Sequence, residues 1–519
     1  MTQRNADSAA REPWGLAAAL AAGTYALALA HPIDLVPADL GRHLMNGRVF
    51  LETLSPPTTN LYSYTAPGFP TVAHHWGAGV VFHLAWRLSG FAGLQVFFIL
   101  LSAAALVLAF DAARRAGGTA WAALCVLAAV PLLAERSEIR PEAFSYFLAA
   151  AFYGVLSGVS EGRLRTRWLL LLPLLEPLWV NLHIYFFLGP ALIAAFLLQE
   201  RLRPKRDLAL EKALATALGL SLAGCLLNPR GLWGALSPAL VFRNYGYRVA
   251  ENQPVWRVEH ILDNPNFLLF KIWLGALAAA VGARWVRTGR PPAAQTLVAA
   301  GVSLMALSAI RNFALFGLFA PIALAEALAA LAPAVRAHAA ARQGAGAALA
   351  AVLIVILGGQ APRAMHVRYP LGLGLAPGGA AGGRFLQENG IRGPIFNDYD
   401  VGGYLIFHLF PRERVFVDNR PEAYSESFFK DVYVPMQQDD AVWKAQDARW
   451  GFNAIVFNLR DLTPWGQAFM IRRVQDPAWA PVFAESSVLV LLKRNAQNSA
   501  LIARYEIPKS RFTVVRQPG

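Results

Sequence analysis

Charge is scarce in this chain. Of its 519 residues only 15% are Asp, Glu, Lys or Arg, against about 25% in an average soluble domain. Acid is the scarcer sign, with 33 Asp and Glu against 47 Lys and Arg. Cysteine is nearly missing: Cys125 and Cys225 stand far apart, each in an apolar run, which excludes a disulfide framework and a CxxC metal knot. No G-X-Y period, heptad pattern or polar low-complexity tract occurs, so collagen, coiled coil and disorder are excluded as well. No internal repeat is evident. What remains is apolar: 56% of residues are hydrophobic and mean hydropathy is +0.39. That composition describes a multi-spanning membrane protein.

An apolar helix of about 20 residues crosses a bilayer with every backbone hydrogen bond made inside it. Candidate spans start near residues 14, 91, 119, 143, 168, 184, 209, 267, 293, 313 and 345, about eleven in all. The pair over 168–199 reads as one hairpin broken at Asn181-Leu182-His183. Basic residues cluster at Arg4/Arg11, Arg114-Arg115, Arg163/Arg165/Arg167, Arg201/Arg203/Lys205/Arg206, Arg284/Arg287/Arg290 and Arg336/Arg342. With the spans counted so, every cluster falls on one side, which the positive-inside rule assigns to the cytoplasm. The formal charge of +14 is then largely topology marking and not a nucleic-acid surface. Ala-Leu-Ala before His31 has the look of a signal-peptidase site, but the first apolar run is long for a signal peptide and reads as an uncleaved anchor.

This topology places the N-terminus in the cytoplasm and three segments outside: 31–90, 227–266 and everything after about 361. Short helices over 38–51 and 75–88 are expected in the first. The tail alternates strand-like runs (Ile395-Phe396, Val415–Val417, Ala454–Phe457, Val488–Leu492) with helices over 384–389, 402–409 and 438–449. That alternation predicts a small extracytoplasmic α/β domain. The expected organisation is a membrane domain over 1–360 that includes outer loop 31–90, a linker over 361–383, and the α/β domain over 384–519.

Polar residues at membrane depth are costly, so those that gather on one side mark a site. The first loop supplies Asp34, Asp39, Arg42, His43, His74 and His75. Outer span ends supply Glu135, Arg136, Glu138, Arg140 and Glu142, then Asn181 and His183, Asn228 and Arg230, and Arg311 and Asn312. Asp39 and His43 share a helical face at i, i+4. Asp39 suits a general base oriented by His43, with Asp34 second in line. The same pair with His74 or His75 could instead hold a divalent cation, and an ion pair of Asp39 with Arg42 or His43 that pins the loop is an equal reading. Arg140 and Arg311 suit a phosphate, which guanidinium binds bidentately; an Arg bonded to Glu138 or Glu142 at a span end is the plainer alternative. Asp398-Tyr399-Asp400 has a D-x-D pattern, but nucleotide sugars are absent outside the cell.

Asp39-Leu40-Gly41-Arg42-His43-Leu44-Met45-Asn46-Gly47-Arg48 resembles the first-loop D-x-x-x-H-L-x-x-G-R of bacterial polytopic GT-C-like glycosyltransferases. The resemblance continues in Ser63-Tyr64-Thr65, His74-His75-Trp76, Arg140-Pro141-Glu142, Trp179–His183, Asn228-Pro229 and Arg311-Asn312. His75 departs from the family's His-Glu-Trp and removes a carboxylate. Asn397–Tyr404 and Val417-Asp418-Asn419-Arg420 are similar to the W-W-D-Y-G and V-D-N segments of oligosaccharyltransferase catalytic subunits, without the tandem tryptophans. A structural role is the alternative for that block, with Gly402-Gly403 permitting a tight turn and Asp400 capping the following helix.

The resemblance implies an inverting enzyme of the plasma membrane that takes a sugar from a polyprenyl-phosphate donor. The acceptor would be a glycan, lipid or protein on the outer face. Asp39 would be the base, aided by His43 and Asp34. Substrate contacts would fall to His74, His75, Arg140, Glu142, Asn181, His183, Arg311, Asp400 and Tyr404. No metal ligand set is assigned. The competing reading is a transporter or non-catalytic assembly subunit for surface polysaccharide, although the two halves show no similarity.

Overall fold

A computed structural model describes residues 14–240, 246–289, 294–332 and 371–512. They fall into two compact units. Met1–His31, Gln95–Ala235 and Val249–Gly372 make the first, and Pro32–Leu94, Leu236–Arg248 and Leu373–Gly519 the second. Loop 31–90 therefore belongs almost wholly to the unit that holds the α/β tail.

The first unit is helical. Among the described residues five helices are long and apolar enough to cross a membrane: Trp76–Gly117, which enters this unit at Gln95, and Glu142–Ser160, Ile184–Arg201, Pro265–Thr288 and Ile310–Leu331. Gly15–Leu29, Thr119–Ala134 and Ala294–Ser308 are apolar but shorter. The span expected near 345 lies outside the described residues. Phe313–Leu331 is apolar on every face apart from Glu326, which pairs with Arg284, and is buried almost throughout, as a central helix should be. It packs against Thr119–Ala134, Ala294–Ser308 and Pro265–Thr288. By contrast Leu170, Leu174 and Leu178 form an i, i+4, i+8 row that is 53%, 74% and 53% exposed. Such an outward apolar row fits a lipid environment.

Two breaks follow the sequence closely. Trp76–Gly117 is interrupted at Gly90, whose φ of 65° and ψ of −169° only glycine adopts readily, so a short helix gives way to the span expected at 91. Leu171–Leu182 ends where His183 turns extended (φ −159°, ψ 147°), and the chain re-enters helix through the 3-10 turn Ile184–Phe187.

The second unit carries a four-stranded sheet in the order β1-β2-β4-β3: β1 is Ile395–Asn397, β2 Ala454–Asn458, β3 Trp479–Glu485 and β4 Val488–Lys493. β1 and β2 are parallel; the other two pairings are antiparallel. Helices Ala381–Glu388, Gly402–Leu409 and Asp440–Trp450 lie where the sequence predicts them. Val415–Val417 is a correction: it joins no strand of this sheet and pairs instead with the first loop through a Ser63–Val415 bridge. Asp400 is a second correction. It does not cap Gly402–Leu409; Asp398 Oδ1 accepts the Val401 amide at 3.0 Å. Gly402 serves close approach, since a Cβ there would lie 2.5 Å from the Asp418 Cα. Helix Leu40–Thr53 packs on Gly402–Leu409 in the same way, with a Cβ on Gly41 falling 2.6 Å from the Gly403 carbonyl oxygen.

Candidate active site

In the first unit, three arginines gather at helix ends around one glutamate. Arg136 follows Thr119–Ala134, Glu142 opens Glu142–Ser160, and Arg311 lies in the 3-10 turn Ile310–Asn312. An acid in the first turn of a helix faces its positive end, which suits Glu142. Glu251, in the short turn Ala250–Asn252, completes the cluster. Arg136 Nη1 donates to Glu251 Oε2 at 2.5 Å and Nη2 to Glu142. Arg140 Nη1 lies 3.5 Å from Glu251 Oε2, and Arg311 Nη1 lies 3.8 Å from Glu251 Oε1. Arg311 also reaches Asn252 Oδ1 at 2.9 Å and Glu142 at 3.4 Å. Arg140 is held from behind by Glu138, at 2.9 and 2.7 Å.

Burial alone would raise the Glu251 carboxyl, but Arg136, Arg140 and Arg311 outweigh it and hold it below the usual carboxylate range. Glu142 and Glu251 likewise overcome burial at Arg136 and raise its guanidinium further. The Nε–H groups of Arg136 and Arg311 are buried and have no acceptor among the described residues. The cluster therefore has donor capacity that its own carboxylates leave unused.

A hydrogen-bonded chain continues from it. Trp179 Nε1 donates to Ser145 Oγ at 2.8 Å, and Ser145 lies 2.8 Å from His183 Nδ1. The Tyr185 amide also donates to His183 Nδ1 at 3.3 Å, which makes that nitrogen an acceptor and puts the proton of a neutral ring on Nε2. Tyr185 Oη donates to Asn312 Oδ1 at 2.7 Å, beside Arg311. Helices that carry these residues at one end carry basic clusters at the other. Thr119–Ala134 has Arg114-Arg115 before it, and Glu142–Ser160 is followed by Arg163, Arg165 and Arg167.

The first-loop residues stand in the second unit. Asp39 precedes Leu40–Thr53, and its carboxylate lies 3.6 Å from Arg42 Nη2. Arg42 Nε in turn donates to Asn419 Oδ1 at 3.1 Å. Asp34 accepts the Val36 amide at 3.1 Å and lies 3.9 Å from Arg460. His43 is buried, with its ring 5.6 Å from that of His75, and His74 lies 6.4 Å from His75. Burial lowers His74 to about 4. Among the described residues no three His, Cys, Asp or Glu side chains are grouped to hold a metal ion.

Three of the expected substrate residues have local bonds. Asn181 Nδ2 donates to the Pro177 and Leu227 carbonyls, both at 2.8 Å. Tyr404 Oη accepts the Gly383 amide at 2.5 Å. Asp400 meets Asn458 at 3.4 Å, next to Asp398, whose carboxyl burial, Asp461 and Asp400 together push up. Sequence reasoning missed Glu251, Tyr185 and Ser145. The first is a lone acid in an irregular loop and the others sit inside apolar helices, so neither spacing nor periodicity marks them.

No family model and no curated protein matches the chain. Solved structures do. The oligosaccharyltransferase AglB of Archaeoglobus fulgidus, in complex with an inhibitory peptide and a dolichol-phosphate, superposes with a TM-score of 0.63 at 10% identity over 94% of this chain and 75% of that one. The same protein in complex with Zn and sulfate gives a TM-score of 0.58 at 10% identity, over 93% and 73%. ArnT from Cupriavidus metallidurans, bound to undecaprenyl phosphate, gives 0.45 at 15% identity, over 92% and 97%. The chain thus shares its fold with the archaeal oligosaccharyltransferase.

Proposed function

We propose that the chain is an inverting membrane glycosyltransferase that moves a sugar from a polyprenyl-phosphate donor to a glycan, lipid or protein acceptor outside the plasma membrane. The observation that carries this reading is the convergence of Arg136, Arg140 and Arg311 on Glu251, with two guanidinium Nε–H groups lacking an acceptor among the described residues. Arginine forks match phosphate oxygens, and charge that develops on a departing phosphate is stabilised by donors already in place. The shared fold adds support, since AglB binds a dolichol-phosphate in its complex.

In this reading Asp39 takes the acceptor proton as the acceptor attacks the anomeric carbon. The C–O bond to phosphate breaks and the arginines receive the phosphate. His183, held through Nδ1 by Ser145 and the Tyr185 amide, lines the acceptor site. The arginine-bearing helix ends face outward and the basic clusters face the cytoplasm, with the α/β tail extracytoplasmic.

The test is glycan and lipid-linked-intermediate mass spectrometry of a deletion strain, complemented with wild type or Asp39→Asn. A sugar increment restored by wild type alone supports the reading. Restoration by Asp39→Asn removes Asp39 as base, and an unchanged glycan profile on deletion overturns the transferase. Flux of an intact glycan without a new glycosidic bond would point to a transporter.

A further inference from the structure

Glu176 has no part in the site above, yet it is a carboxyl in the middle of an apolar helix. It lies in Leu171–Leu182 and is 0% exposed. Oε1 accepts the Cys225 thiol with Sγ at 3.5 Å, and Oε2 has no partner among the described residues. Two glycines on neighbouring helices make room for it. A Cβ on Gly189 would fall 2.2 Å from Oε2, and a Cβ on Gly224 would fall 3.3 Å from the Glu176 Cβ. Phe152, on a third helix, closes the Gly189 side. One turn before Cys225, Ser221 Oγ is also buried without a partner among the described residues. Cys225 is the one titratable group in contact with the carboxyl among the described residues; the nearby-numbered acids Glu200 and Glu211 pair with Arg203 and Arg201.

We propose that Glu176 and Cys225 form a proton-binding site in which the carboxyl is held as the neutral acid, clasping Leu171–Leu182 between Leu188–Arg201 and Leu208–Gly224. An anion there would face two glycine backbones and one weak S–H donor, a large desolvation cost with almost nothing to offset it. A neutral acid needs one acceptor for its proton, and a thiol sulfur is a weak acceptor as well as a weak donor. The clasp has a consequence for the neighbouring break. Leu171–Leu182 ends one residue before His183, and Gly189 sits in the first turn of the helix that resumes after it. Loss of the proton puts a charge between those helices and loosens the hairpin that positions His183. This inference rests on packing alone and holds whether or not the chain transfers sugar.

Infrared difference spectroscopy of the full chain in lipid nanodiscs tests it. Wild type minus Glu176→Gln at neutral pH should show the carbonyl stretch of a protonated carboxylic acid, shifted in D2O. Carboxylate stretches in its place overturn the proposal. Glutamine is the neutral isostere, so its thermal midpoint should match wild type at neutral pH and exceed it at alkaline pH; a lower midpoint at neutral pH also overturns it. Should the glutamine variant fail to fold, Cys225→Ala must move the acid carbonyl band of otherwise wild-type protein. An unmoved band sinks the assignment.

Discussion

Arg136 Nη1 and Glu251 Oε2 meet at 2.5 Å although 115 residues separate them. This contact joins a helix end to the short turn Ala250–Asn252, and Arg140 and Arg311 hold the same carboxylate from 3.5 and 3.8 Å. Glu251→Ala leaves three guanidinium groups short of a shared carboxylate. Removing one partner of a buried pair costs about 3 kcal/mol or more, and the loss should appear as a lower midpoint in denaturant unfolding. Arg136, Arg140 and Arg311 hold the folded-state carboxyl below its ordinary range. Its stability is therefore fully present above that range and lost as pH falls. Glu251→Gln should flatten the acid limb of the stability curve relative to wild type, and a parallel limb would contradict the assignment.

Arg311 separates phosphate binding from simple ion pairing. If it receives the leaving phosphate, Arg311→Ala should lower kcat/KM by roughly 100-fold. Lysine keeps the charge but not the planar fork, so Arg311→Lys should fall between wild type and alanine. Equal loss in both would mark the fork and not the charge. Unchanged turnover in both would assign Arg311 to packing through Glu142 and Asn252.

Hydropathy made the membrane helices legible because a bilayer leaves the backbone few alternatives. It also located both breaks, since Gly90 and the Asn181–His183 polar patch are local signals. β3 escaped notice for a physical reason. Trp479–Glu485 contains Pro481, which suits an edge strand, and the register shifts between Pro481 and Phe483, so no alternation survives to be read. Val415–Val417 erred the other way, because an apolar run reports burial and not partner. Val415 exchanges backbone bonds with Tyr62 and Tyr64 across a bridge to Ser63, whose hydroxyl donates to the Phe416 carbonyl. Arg311 was legible as a cation that interrupts an apolar stretch, and Arg140 as one of a polar group at a span end. Their meeting point was not, since Glu251 carries no pattern around it.

His74 gives an acid signature of its own in the second unit. Burial lowers it from 6.5 to about 4. A depressed folded value means stability that is full above about 6.5 and lost as pH falls toward 4. His74→Gln, which cannot take up the proton, should lose less stability than wild type across that window when thermal midpoints are compared. An identical slope would show that the ring is solvated in solution.

Close packing of the first-loop helix makes the last prediction. A Cβ on Gly47 would fall 2.1 Å from the Gly79 carbonyl oxygen and 2.7 Å from the His83 Cβ. The obstacle is mainly backbone, so no side chain can rotate away, and helices Leu40–Thr53 and Trp76–Gly117 must separate where they cross. Overpacking of this kind costs about 1–3 kcal/mol, and with a backbone obstacle Gly47→Ala should lie at the upper end. The shift should also disturb the His83 Nδ1 contact with the Leu44 carbonyl, now 3.0 Å. Gly68→Ala is the control, since nothing lies within 4 Å of a Cβ there, and it should change stability by less than about 0.5 kcal/mol. Thermal unfolding of the two variants side by side decides the matter: equal midpoints would mean that the Gly47–Gly79 approach is looser than 2.1 Å implies.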